Sequence, residues 1–307
     1  MILKSTDFES LLNFKFSSKV SDLIDSYKIE LLPLSQQEYK NEIEDIKLLI
    51  QKPNAPAAGS HRINDWNSGW QENNLDFADT NNVRSLIPRY FNKFKNIRFY
   101  NQLYKINSLD CELNMLRVLQ YYVCEKYCND TQNFYEFGCG TGHNLFAISE
   151  IVDHNKHFFG FDWSNPPREI FKNIETNFGK NFKFDNLDFF NPNYDIKILE
   201  NSAVFTFAAL EQVGDKHEKF IQFLIDKQPD ICIHIEPIVE LLNPEDELQK
   251  LSIQYIEKRN YLSNFLSHLR ELEKNNIIKL IDVDRTTIGS YLIEGYSLVA
   301  WKVNKCL

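Results

Sequence analysis

Three glycines and three acids carry the chemistry most legible in this sequence. Glu136 is followed at alternate positions by Gly138, Gly140 and Gly142, in the run Phe134-Tyr135-Glu136-Phe137-Gly138-Cys139-Gly140-Thr141-Gly142-His143-Asn144. Glycine adopts backbone angles closed to other residues and lets a ligand come close to the main chain. An acid just before the first glycine repels a pyrophosphate and attracts an ammonium or sulfonium group. The spacing is G-x-G-x-G rather than the G-x-G-x-x-G of dinucleotide sites, and no Lys follows as a phosphate loop requires. Asp162, 20 residues after Gly142, closes a second apolar run, Gly160-Phe161-Asp162. An acid at such a strand end accepts hydrogen bonds from both hydroxyls of a ribose. The third apolar run ends Asn186-Leu187-Asp188-Phe189, with Asp185 as the competitor if the register slips. Farther on, His234 and Glu236 alternate in a strand pattern and so share a face.

The elements that must position these residues follow from periodicity. Phe134–Phe137 reads as a short buried strand, and Leu145, Phe146, Ile148 and Ile151 recur at helical spacing from a helix opening near Asn144. Strand, glycine turn and helix start together form a nucleotide-type site at the carboxyl end of a parallel strand. Helix and strand patterns then alternate: strands at 157–161, 182–187, 203–207 and 231–235, and helices at 167–178, 195–200, 216–226 and 245–274. Two last strands, 277–284 and 296–303, pair as antiparallel neighbours through the turn at 289–295.

At these residues the chain resembles the class I S-adenosylmethionine-dependent methyltransferases, whose first motif is apolar-apolar-acid-x-G-x-G-x-G. The resemblance covers about residues 130 to 303. It implies an α/β fold with a seven-stranded, mostly parallel, doubly wound sheet, and S-adenosyl-L-methionine as cofactor. It makes Glu136, Gly138, Gly140, Gly142 and Asn144 cofactor-binding residues, and puts Asp162 on the ribose, Trp163 stacked on adenine, and Asp188 with Phe189 at the adenine edge. Phe207-Ala208-Ala209-Leu210-Glu211-Gln212-Val213-Gly214-Asp215 resembles the L-E-H-V-x-D segment of small-molecule methyltransferases, with Gln212 where the family has His. The departure leaves open whether a base acts there. Ala208 is expected to line the methionine end. Asn191-Pro192-Asn193-Tyr194 follows the third strand rather than the fourth and is read as a turn, not as an amino-methyltransferase motif.

Methyl transfer to a hydroxyl or ammonium acceptor needs a proton removed. His234, Glu236 and Glu211 are the catalytic candidates. One of His234 and Glu236 acts as base while the other orients it, or both are a hydrogen-bonded core pair; the pattern leaves both open. For the acceptor, His61, Trp66 and Trp70 fall in a polar, Trp-bearing stretch without clean period, read either as a ligand loop or as a surface loop plugging a seam. Arg285 and Tyr296 flank the last hairpin. Residues 82–108 interleave basic and aromatic side chains, best read as an amphipathic helix packing its aromatics inward.

The chain has 307 residues, 43% of them hydrophobic, with 24 Phe and 14 Tyr, enough for a substantial core. Net charge is -9, so a nucleic-acid backbone is a poor bulk partner. No stretch reaches the roughly 18 apolar residues of a membrane span, and the first 20 residues lack a secretory apolar core. The cysteines, 111, 124, 128, 139, 232 and 306, form no C-x-x-C pair. They read as reduced core thiols of a cytoplasmic protein, with no metal site. The expected organisation is a helical N-terminal extension, 1–109, capping a methyltransferase domain, 110–307. The expected function is in-line methyl transfer to a small polar molecule, a saccharide or other metabolite being favoured by the Trp/Asn/Asp stretch. The alternatives are a protein methyltransferase and a catalytically silent cofactor-binding partner subunit.

Overall fold

The computed structural model describes residues 1–53 and 56–304. The N-terminal part opens with α1 (Ser5–Leu12), α2 (Ser18–Ser26), the short strand β1 (Leu31–Pro33) and α3 (Gln36–Gln51). A capping box fixes the start of α3: Ser35 accepts from the Glu38 amide while Glu38 accepts from the Ser35 amide. Such a cap stabilises a helix start by about 1 kcal/mol. Helix α4 (Ile63–Thr80) then runs to Asn81, whose positive φ ends it. Strands β2 (Asn96–Phe99) and β3 (Gln102–Ile106) form a hairpin, and β1 pairs with β3, giving a small sheet in the order β1-β3-β2.

Two expectations are corrected here. The Trp-bearing stretch is not a loop: most of it is α4, which buries Trp70, Asn73 and Phe77 toward the rest of the chain. Residues 82–108 are not an amphipathic helix but a short 3-10 turn at Val83–Leu86 followed by the β2–β3 hairpin. The aromatic spacing fits an alternating strand equally well once β3 supplies a partner edge.

The larger unit contains α5 (Cys111–Tyr127), β4 (Asn133–Phe137), α6 (His143–Ser149), β5 (His157–Asp162), α7 (Pro167–Phe178), β6 (Phe182–Asn186), β7 (Ser202–Phe207), α8 (Glu218–Lys227), β8 (Ile231–Glu236), α9 (Glu247–Arg259), α10 (Phe265–Lys274), β9 (Ile278–Asp284) and β10 (Ser297–Val303). Its seven strands form one sheet in the order β6-β5-β4-β7-β8-β10-β9. The first five lie parallel, and β10 runs antiparallel to both β8 and β9. The expected short helix at 195–200 is absent, since Pro192 and two turns occupy that connection. The expected long helix at 245–274 is two helices, broken where Asn260 and Asn264 take the left-handed conformation.

The centre of the sheet is apolar on both faces because β4 alternates two aromatic sets. Phe134 stacks between Phe158 and Phe205, with ring centroids 5.5 and 6.1 Å away. On the opposite face Tyr135 and Phe137 stack on Phe159 and Phe161, at 4.5 and 4.8 Å. Each fully buried aromatic of this kind contributes about 1.5–3 kcal/mol of transfer free energy. The N-terminal helices share the first of these cores: Phe8, Val20 and Ile24 belong to the same buried cluster as Tyr121 and Phe134. Cys111, Cys124, Cys128, Cys139 and Cys232 are buried free thiols, while Cys306 lies outside the described residues. Among the described residues no helix is long and apolar enough to cross a membrane.

Candidate functional site

Strand order reverses next to β4: the chain moves outward through β5 and β6, then returns to place β7 on the other side of β4. Helices cannot cover the carboxyl ends of the strands at such a switch point, and a crevice opens there. In this chain the crevice is a cavity of about 460 Å3. Its floor is the glycine turn after β4 and the turn after β7. The two come so close that a Cβ on Gly138 would lie 2.4 Å from the Ala209 Cβ. Gly138 has φ +75°, so the position is closed to a side chain on both counts.

The cavity brings together most of the residues picked for the cofactor. Gly138, Gly140, Asn144, Asp162, Trp163 and Asp188 border it, as do Phe189 and Ala208. Asp162 also builds the floor. Its Oδ2 accepts from the Gly140 amide at 3.0 Å, and its Oδ1 accepts from the Ser164 amide at 2.9 Å and the Ser164 hydroxyl at 2.5 Å. Burial raises its carboxyl, while these bonds to Ser164 and Gly140 hold it down. A carboxylate offers about four lone-pair sites, so one remains for a ligand hydroxyl. Asp188 accepts from the Phe190 amide at 2.9 Å, which orients it at the tip of the third strand's loop.

Glu136 and Gly142 are placed differently from the expectation: neither borders the cavity. Gly142 packs against Phe171, where a Cβ would meet the ring at 2.6 Å. Glu136 is fully buried at the end of a relay in which Gln120 donates to Asn144 at 2.6 Å and Asn144 donates to Glu136 Oε1 at 2.6 Å. Its Oε2 is buried without a partner. Desolvation pushes its carboxyl up to about 8. A nearby cation would restore its charge.

The catalytic candidates separate. His234 does not border the cavity; it sits in the core with both ring nitrogens engaged. Trp301 Nε1 donates to His234 Nε2 at 2.9 Å, so the proton is on Nδ1, which donates to Thr206 Oγ1 at 2.9 Å. Burial, with His217 nearby, depresses it to about 3. Nothing in that arrangement leaves a lone pair for an acceptor proton. Glu236 is likewise outside the lining. Its Oε1 accepts from the Ala209 and Leu210 amides, both at 3.0 Å, and its Oε2 from the Glu211 amide at 3.2 Å. It holds the turn after β7, where Ala208 has φ +46°. Glu211 does border the cavity, its carboxyl raised by burial and by the Glu236 charge.

Of the acceptor candidates, Trp66, Trp70 and Tyr296 border the cavity. Trp66 and Trp70 stack with centroids 5.3 Å apart, and a Cβ on Gly140 would meet the Trp70 ring at 2.8 Å, so α4 roofs the glycine turn. His61 is exposed beside Gly59, and Arg285 is taken up by Glu294 at 2.6 and 2.7 Å and by Asn101 at 2.6 Å; neither borders the cavity.

Several residues of the site are not selected by the sequence alone. Glu112, in the first turn of α5, borders the cavity and receives the Tyr296 hydroxyl at 2.8 Å; burial raises it to about 7. Tyr90, Arg62, Tyr255, Arg259 and Tyr261 also form the wall. His143 carries a buried, unpartnered Nε2 there and is depressed to about 3 by burial and Arg117. Behind the wall, Arg98 is 1% exposed. It donates to the carbonyls of Leu248, Tyr291 and Leu292 and to Ser252 Oγ at 2.6–3.2 Å. It ties β2 to the segment carrying Leu292 and Ile293, which also border the cavity.

Seven strands with the last, antiparallel one inserted between the fifth and sixth, and a cavity at the switch point, define the class I methyltransferase fold. No protein-family model matches the chain, and no curated protein matches its sequence. Among solved structures, it is similar to an O-methyltransferase (NcsB1) from neocarzinostatin biosynthesis, crystallised with S-adenosylmethionine and 2-hydroxy-5-methyl naphthoic acid. That match has 12% identity and a TM-score of 0.42 over 63% of this chain and 57% of that one. A SAM-dependent methyltransferase from Aquifex aeolicus matches at 13% identity and TM-score 0.41, over 60% of this chain and 89% of that one. The small RNA methyltransferase HEN1 matches at 13% identity and TM-score 0.45, over 62% of this chain and 25% of that one.

Proposed function

We propose that the chain transfers a methyl group from S-adenosyl-L-methionine to a small polar acceptor by direct in-line displacement. One observation carries the reading: the glycine turn and the acids Asp162 and Asp188, from three neighbouring strand tips, border a single cavity at the switch point. Asp162 accepts from a ribose hydroxyl. Trp163 and Phe189 flank the adenine and Asp188 takes its amino group. The cofactor, when bound, supplies an electrophilic methyl carbon with a neutral leaving group. What remains for the protein is alignment, exclusion of water and removal of one proton.

The cavity lining is also rich in hydroxyl and carboxyl groups: Tyr90, Tyr255, Tyr261, Tyr296, Glu112 and Glu211. Such a wall suits a polyhydroxylated or otherwise polar metabolite, a saccharide included, and Trp66 offers a flat face for its ring. Besides Asp162 and Asp188, the carboxyls bordering the cavity are Glu211 and Glu112, and burial raises both toward neutrality, where a carboxylate is an effective proton acceptor. His234 and Glu236 support the wall from behind.

Calorimetry with S-adenosylhomocysteine tests the cofactor assignment. The wild-type chain is expected to bind, and Asp162→Ala to bind at least tenfold more weakly; no heat with wild type overturns the reading. Mass spectrometry of a polar metabolite pool, incubated with methyl-labelled cofactor, then separates turnover from silent binding.

A further inference from the structure

In the N-terminal part, two side chains that border the cavity each carry a buried hydrogen-bond donor without an acceptor. Arg62 donates from Nε to Asp65 at 2.6 Å, but its Nη1 is buried without a partner. One turn along, Trp66 Nε1 is also buried without a partner. Both side chains border the cavity, and the guanidinium carbon lies 5.6 Å from the Trp66 ring centroid. Trp66 in turn stacks on Trp70, which lies on Gly140. The two donors are thereby linked to the glycine turn, next to the end of the cavity where the proposed cofactor's amino-acid portion would lie.

Buried donors without acceptors are rare in folded chains. Leaving one unmet is costly, and more so when it is charged. Two of them, four residues apart on one helical face, call for an acceptor with two oxygens. None of the carboxyls that also border the cavity bonds either donor: Glu112 is engaged by Tyr296, Glu211 by Gln212, Asp162 by Gly140 and Ser164, and Asp188 by the Phe190 amide. Asp65 bonds only Nε, and its side chain is 61% exposed. A carboxylate on the ligand meets the requirement, because a guanidinium N–H and an indole N–H can each take one of its oxygens.

We propose that Arg62 Nη1 and Trp66 Nε1 form a carboxylate-docking pair, by which the start of α4 and the residue before it recognise an anionic ligand group. The inference rests on the cofactor reading above and adds to it a ligand contact made by the N-terminal part. Two ligands can bring a carboxylate: the cofactor, through its methionyl group, and an acidic acceptor such as a uronate.

Calorimetry on the full chain distinguishes them. The probes are S-adenosylhomocysteine, its decarboxylated analogue S-adenosyl-3-thiopropylamine, and glucuronate against glucose with S-adenosylhomocysteine already bound. The variants are Arg62→Gln and Trp66→Phe, with thermal melts to confirm folding. If the pair holds the cofactor, each variant weakens S-adenosylhomocysteine about tenfold and leaves the decarboxylated analogue unchanged. If it holds the acceptor, the variants abolish a preference for glucuronate over glucose and leave both nucleosides unchanged. Variants that bind all four probes as wild type does overturn the docking pair while the cofactor reading stands. A wild-type chain that binds neither nucleoside overturns the cofactor reading itself.

Discussion

The Tyr296 hydroxyl donates to Glu112 at 2.8 Å, joining the start of β10 to the first turn of α5 across the cavity wall. Burial raises that carboxyl from 4.5 to about 7, and the tyrosine bond only partly opposes the shift. The folded chain therefore keeps a proton that the unfolded chain releases above pH 4.5. Stability from this carboxyl is whole below pH 4.5 and is lost as pH rises through 7. Glu112→Gln has no proton to lose, so its melting temperature should fall less between pH 5 and pH 8 than that of wild type. Equal slopes in circular-dichroism melts would contradict the protonated-carboxyl assignment.

His234→Ala removes the acceptor of the Trp301 indole N–H, removes the donor to Thr206 and opens a cavity beside Phe265. It should destabilise the chain by about 3 kcal/mol in urea unfolding. Because His234 lies outside the cavity, affinity for S-adenosylhomocysteine in the remaining folded protein should stay within about twofold of wild type.

Glu236→Gln turns one carboxylate oxygen into an NH2 facing backbone amides at the turn after β7. At least one of the three N–H groups at Ala209, Leu210 and Glu211 then lacks an acceptor, at about 1–3 kcal/mol. That turn forms the cavity floor beside Gly138, so calorimetry should show weaker nucleoside binding as well as lower stability. Unchanged affinity would mean that the turn is held by other contacts.

Gly140→Ala must place a Cβ at φ +49°, costing about 1–2 kcal/mol, and 2.8 Å from the Trp70 ring. Lower melting temperature and loss of nucleoside binding are expected together. Combining it with Trp70→Leu should recover part of the stability, because the steric part of the penalty belongs to the pair.

Arg98→Met leaves the Leu248, Tyr291 and Leu292 carbonyls without their buried donor. Hydrogen bonds to a charged group contribute about 1.5–3 kcal/mol each, so a loss of at least about 3 kcal/mol is expected. Hydrogen exchange should rise first in residues 286–295, the segment Arg98 anchors.

The sheet was legible because each of its strands announces itself locally. An apolar run such as 134–137 or 231–235 can be satisfied only by burial on both faces, and the glycine and acid positions mark where each run must turn. The N-terminal part was not legible in the same way. Trp66 and Trp70 lie four residues apart, which fits a helix, yet the polar residues between them hid the period. The aromatics of 82–108 fit a helix and a hairpin alike, and the choice was made by β1, which pairs with β3 from more than sixty residues away.

What the sequence determined by itself was the set of strand tips and hence the residues that border the cavity there: Gly138, Gly140, Asp162, Trp163, Asp188 and Phe189. Those positions depend on contacts within one strand–turn–helix unit, so local pattern suffices. Only the tertiary structure decided the roles of His234, Glu236, Glu112 and Arg62. A histidine and a glutamate on one strand face look alike whether that face meets a cavity or a core. Their surroundings come from Trp301, the 209–211 amides, Tyr296 and α4, all distant in the chain. Burial and partner geometry, which set both the proton affinity of a side chain and whether a ligand can reach it, exist only once those segments have packed.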